Sequence, residues 1–87
     1  MIQSEEELIE RMIMYLDTYH QSKGKEKEKA GEMILQLAEE VINTPAIRSQ
    51  IDGKLLGLLE TMVDQLSQAI EDGEAYPDLT GIKAELA

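Results

Sequence analysis

The sequence predicts an all-α fold: a small antiparallel bundle of three main helices followed by a short C-terminal fourth. Three observations carry this. Apolar residues recur at three- and four-residue steps in three separate stretches, the signature of amphipathic helices. Capping and stop signals separate those stretches. The 87-residue chain has an aliphatic composition, with no Phe, Trp or Cys and only three Tyr, which suits one helical domain over 1–87 with one modest core.

The first helix is expected over 5–20. Ser4 with Glu7 three residues on forms a capping box, and Glu5 and Glu6 favour the positive end of the helix dipole. Leu8, Ile9, Met12, Ile13, Leu16 and Tyr19 supply its stripe. Met14 and Tyr15 widen the apolar surface beyond one face, so it needs a second cover from another helix or another molecule.

Residues 21–29 are polar and of low complexity, holding four of the eight basic residues. A mobile Lys/Glu-rich loop is expected around Gly24, over about 21–27, with the later Lys and Glu joining the second helix. That helix is expected over 26–42, with Ala30, Met33, Ile34, Leu37, Ala38, Val41 and Ile42 inward and Glu32, Gln36, Glu39, Glu40 and Asn43 outward. Asn43-Thr44-Pro45 ends it, because a residue before proline avoids the helical region. The connection is so short that the second and third helices must be antiparallel neighbours.

The third helix, expected over 45–72, is the longest and has the widest stripe: Leu55, Leu56, Leu59, Met62, Val63, Leu66, Ala69 and Ile70. Thr44 serves as N-cap with Pro45 at the first helical position, and Gly73 as the stop. Asp52-Gly53 leaves two readings open. It either separates a short helix over 46–51 from a main one over 54–72, or is absorbed in a continuous helix. In the continuous case Gly53 and Gly57 would make a shallow patch opposite the stripe; the plainer reading is that they are tolerated. After the Glu74-Ala75-Tyr76-Pro77 turn, Leu79, Ile82 and Leu86 share one side of a short helix over 78–86. Core positions should include Leu16, Leu37, Val41, Leu59, Met62, Leu66 and Ile70. The layout, three helices and then a Tyr76-Pro77 turn with a short helix, resembles the small immunity proteins that protect against pediocin-type bacteriocins. The resemblance is one of architecture; no residue motif carries it and no site transfers with it.

The net charge of −10 disfavours direct nucleic acid or anionic membrane binding, since both would repel the chain. The charge is uneven: residues 60–87 hold seven acidic residues against one basic. No apolar run approaches the roughly 20 residues of a membrane span. The amino terminus is acidic where a signal peptide would be basic, and cysteine is absent, so a cytoplasmic location is expected.

Chemistry is sparse. His20 with Asp17 could contribute to a metal site, but a histidine at a helix end more commonly serves as a favourable C-terminal charge. Asp72, Glu74, Tyr76 and Asp78 imitate calcium-loop spacing, yet Lys83 stands where a bidentate glutamate belongs. No nucleophile with a base and no phosphate loop can be assembled. No enzyme activity, cofactor or metal is therefore expected. Five methionines offer pliable packing in cores and partner surfaces alike.

Two functions remain. The first is a protein-interaction or regulatory module, its protein partner unidentified, which also pairs weakly with itself through helix one. Its partner-binding residues would be Ile9, Ile13, Met14, Tyr15 and Leu58. Two chains at −10 repel, so such a contact should avoid residues 60–87 and tighten with salt. The second, which the architectural resemblance also implies, is an immunity or inhibitor protein whose acidic surface neutralises a basic toxin, enzyme or nucleic-acid-binding protein.

Overall fold

Ser4 sets the first helix in place. Its Oγ accepts a hydrogen bond from the Glu7 amide at 3.1 Å, and α1 runs Glu5–Gln21 in a computed structural model that describes residues 4–73 and 75–87. Residues 1–3 and Glu74 of the final turn lie outside the described residues. Leu8, Met12, Leu16 and Tyr19 form the buried face of α1. Ser22 is extended and Gly24 takes φ +61, a left-handed value that glycine adopts without a Cβ penalty. There the chain reverses into α2, Lys25–Asn43. Lys25 and Glu26 are thus already helical, and only Ser22, Lys23 and Gly24 separate the helices, a shorter connection than the 21–27 expected.

Thr44 is extended before Pro45, as the proline ring requires, and serves both α2 and α3 (Pro45–Arg48) as the flanking residue. Its hydroxyl donates back to the Glu40 carbonyl at 2.6 Å, so it gives α3 no side-chain cap. The Asp52-Gly53 step is a break. Asp52 Oδ1 accepts from the Lys54 amide at 3.1 Å and starts α4, Gly53–Asp72. An aspartate N-cap here is worth about 1 kcal/mol, which offsets the poor propensity of Gly53 in the first turn. A Cβ at Gly53 or Gly57 would meet open space, so no backbone approaches either. Gly73, at φ +65, stops α4. The last helix, α5, spans Thr80–Leu86.

α1 packs on α2 and α5, α2 on α3 and α4, and α4 on α5. The Asp52 amide donates to Glu5 Oε2 at 2.8 Å, which fastens the start of α4 beside the start of α1. One core results, from Leu8 through Leu37, Val41, Leu59, Met62 and Leu66 to Leu79 and Leu86. The radius of gyration, 12.3 Å, matches the roughly 12 Å of a folded chain this long.

Ile70, expected in the core, and Met33, expected on the inward stripe of the second helix, are not inside. Ile70 is 43% exposed. Ala69 carries the buried stripe into the last turn of α4, and Ile70, about 100° further round the axis, falls at its edge. Met33 is 41% exposed for the same reason, being one residue before the buried Ile34. Gly31, by contrast, is buried: a Cβ there would sit 3.5 Å from both Tyr19 and Tyr76.

Candidate functional site

The five residues expected to meet a partner are divided by the fold. Ile9 and Leu58, both half-buried, line a cleft with Leu86 of α5, rimmed by Glu5, Asp52, Lys54 and Glu85. Ile13 is half-buried against the core. The surplus of helix one on this side is thus partly covered by the chain itself. On the other side Tyr15 leans toward α2, and Met14, 60% exposed, stands outside.

Tyr15 brings Met33 into view. Three adjoining hollows run along the line where α1 meets α2, and Met33 lines all of them. The first holds Ser22, Glu26, Lys29, Ala30 and Thr18; the next holds Thr18, Ala30 and Tyr15; the last holds Tyr15, Arg11, Gln36, Leu37 and Glu40. Together they make one continuous groove with an apolar middle and a charged pair of opposite sign at each end. Met14 stands one helical turn before Thr18, on the shoulder of this groove. Met14 and Met33 are two of the three exposed large apolar residues among those described. Comparison with protein-family models, with curated proteins and with solved structures finds no match. The surface alone must therefore indicate what the chain does.

A second cluster of polar groups holds the C-terminal segment on α1. Tyr19, fully buried, donates its hydroxyl hydrogen to the Pro77 carbonyl at 2.6 Å. Burial, with smaller contributions from Tyr76 and Asp78, pushes its pKa up to about 12. Lys27 Nζ lies 4.6 Å over the Tyr19 ring, and Tyr76 and His20 meet that ring edge-on. Burial also raises the Tyr76 pKa, aided by Glu28 and Glu32. Asp78 accepts from both the amide and the hydroxyl of Thr80, which holds its carboxyl below the usual range.

Asp17 and His20, considered above as metal ligands, are turned to separate partners. Asp17 pairs with Lys83 of α5, and His20 Nε2 faces Asp78 Oδ1 at 3.8 Å. Among the described residues no group of three His, Cys, Asp or Glu is placed to hold a metal ion. No described helix is long and apolar enough to cross a membrane. The calcium-like series includes Glu74, which lies outside the described residues; Asp78 is committed to Thr80.

Sequence reasoning found Met14 and Tyr15 but placed Met33 on the inward stripe of the second helix. Its exposure depends on where α1 settles on α2, which the period of either helix alone does not determine. The Ser22–Glu26 and Arg11–Glu40 ends of the groove are likewise products of helix pairing.

Proposed function

We propose that this chain is a non-enzymatic cytoplasmic protein-interaction module that pairs weakly with itself through the α1–α2 face. The observation that supports this most directly is the continuous groove centred on Tyr15 and Met33, with Met14 on its shoulder. The Leu, Ile and Val of both helices are buried or half-buried, whereas two methionines stay exposed on this face. Contiguous apolar exposure of this kind marks interaction sites on soluble proteins, and methionine adapts to an opposing surface at little cost. Sedimentation at tens of micromolar in 0.15 M and 0.5 M salt tests the reading. A mass above 9.8 kDa that grows with concentration and with salt supports it; a monomer under both conditions refutes it.

A second reading, an inhibitor or immunity protein, draws on a different surface. Glu60, Asp64, Glu71 and Asp72 are all exposed on α4, within the segment where acidic residues outnumber basic ones seven to one. Such a face suits a basic toxin, enzyme or nucleic-acid-binding protein. Capture of partners at low and high salt separates the two. An acidic inhibitor loses its partner steeply as salt screens attraction over about 8 Å, whereas apolar docking holds.

A further inference from the structure

We propose that Met14 and Met33 form a reversible oxidation site, at which a peroxide-class oxidant converts their thioethers to sulfoxides on the folded chain and turns the α1–α2 face from apolar to polar. The consequence for pairing rests on the self-association reading above; the site itself does not. Every leucine of the chain is buried or half-buried, whereas Met14 and Met33 are exposed and stand together on this one face. Met33 lines all three hollows of the groove, with Tyr15 and Ala30 in its apolar middle.

Exposure divides the described methionines into two classes. Met14 is 60% and Met33 41% exposed, so an oxidant in solution reaches both side chains. Met12 and Met62 are fully buried in the core and become accessible only when the bundle opens. Oxidation therefore alters the face and spares the residues that hold the fold. The step needs no group from the protein. A sulfur lone pair attacks one oxygen of hydrogen peroxide, and the S–O bond forms as the O–O bond breaks. The transferred hydroxyl passes its proton to the departing hydroxide, which leaves as water. Sulfur loses two electrons and the peroxide gains them. Methionine sulfoxide reductases reverse the change: two thiols supply the electrons and become a disulfide, and the oxygen leaves as water.

The sulfoxide is polar where the thioether was apolar and pliable. On the free chain, water satisfies the new oxygen, so the fold tolerates it. Under an opposing apolar surface that oxygen loses its water, and a buried acceptor without a donor is destabilising. The modification thus weakens any docked state of this face and leaves the free state standing. Leucine at both positions keeps an apolar side chain of similar volume but has no sulfur to oxidise.

The test treats the full chain at low micromolar concentration with hydrogen peroxide and follows each methionine by peptide mass mapping. Met14 and Met33 should oxidise roughly tenfold faster than Met12 and Met62, because the buried pair must wait for opening. The chain carrying both sulfoxides should keep its circular dichroism and leave a hydrophobic-interaction column earlier than the reduced chain. Methionine sulfoxide reductases with dithiothreitol should restore the original retention. M14L/M33L should elute like the reduced wild type and hold its retention under peroxide; Met1 remains in that variant, which controls for its oxidation. Met12 or Met62 oxidising as fast as Met14 and Met33, or an unchanged retention after oxidation, overturns the site. So does a peroxide shift that persists in M14L/M33L. Sedimentation of the oxidised and reduced chains then reads pairing, which should weaken about tenfold on oxidation. A reduced chain that is monomeric overturns the self-association reading alone. A reduced chain that pairs no more tightly than the oxidised one overturns the control of pairing by this site.

Discussion

Replacing Tyr19 with Phe removes one oxygen from the core and should reveal what holds the C-terminal segment on the bundle. The ring of Tyr19 is wholly buried, with Lys27 above it and Tyr76 against its edge, and a Phe ring keeps all of these contacts. What disappears is the 2.6 Å hydrogen bond to the Pro77 carbonyl. A neutral hydrogen bond contributes about 1 kcal/mol net, and a partly buried carbonyl left without its donor adds to the loss, so about 1–2 kcal/mol is expected at pH 7. For a domain of this size that corresponds to a fall of roughly 5–15 °C in Tm. The pH dependence is a sharper test. The Tyr19 pKa is about 12 when folded, against about 10 when unfolded. A raised pKa contributes stability that is intact below pH 10 and lost as pH climbs through the folded value. Phe has no such proton, so the stability gap between wild type and Y19F should narrow from pH 10 upward. Urea titrations of both proteins from pH 7 to pH 11.5 measure it. A gap that stays constant with pH, or a variant as stable as wild type at pH 7, would refute this role for the Tyr19 hydroxyl.

Three further substitutions probe the fold. Leu59→Ala deletes a fully buried side chain at the middle of α4 and should cost roughly 2–5 kcal/mol, read in denaturant unfolding; a loss below about 1 kcal/mol would mean the stripe is misplaced. Gly57→Ala places a methyl in open space on an exposed helical turn, and calorimetry should show about 0.5–1 kcal/mol of stabilisation; destabilisation would reveal a close neighbour. Asp52→Ala removes the cap of α4 and should cost about 0.5–2 kcal/mol, with hydrogen exchange quickening first at the Lys54 amide; unchanged exchange there would show that α3 and α4 are held apart by something else.

The main helices were readable because period and punctuation agree. Ser4 with Glu7 starts α1, Pro45 ends α2, Gly73 ends α4, and Leu59, Met62 and Leu66 fall in the stripe the spacing demands. Asp52-Gly53 was undecidable from sequence because the glycine penalty and the aspartate cap, about 1 kcal/mol each, favour a break but must outweigh the intrahelical hydrogen bonds that a break forfeits. Ile70 and Met33 misled for a common reason. Each lies one residue from a buried neighbour, and a stripe three residues wide in seven includes both until packing narrows it. For the candidate site, Met14 and Tyr15 stood out as surplus apolar residues, whereas Ile9 and Leu58 lie half-buried in the cleft beside Leu86 of α5. Met33 and the charged ends of the groove exist only in the pairing of α1 with α2.

Methionine itself offers the most direct measurement of the central claim, that the α1–α2 groove is the interaction face. Met12 and Met62 are fully buried, whereas Met14 and Met33 are 60% and 41% exposed. With the methionine methyls labelled with carbon-13, a dilution series by NMR from about a millimolar to a few micromolar reads all four together. The groove account predicts that the Met14 and Met33 methyls shift with concentration along curves sharing one midpoint, while Met12 and Met62 stay fixed. Methyl positions independent of concentration throughout, or a shift in the labelled chain that leaves Met14 and Met33 unmoved, would contradict it.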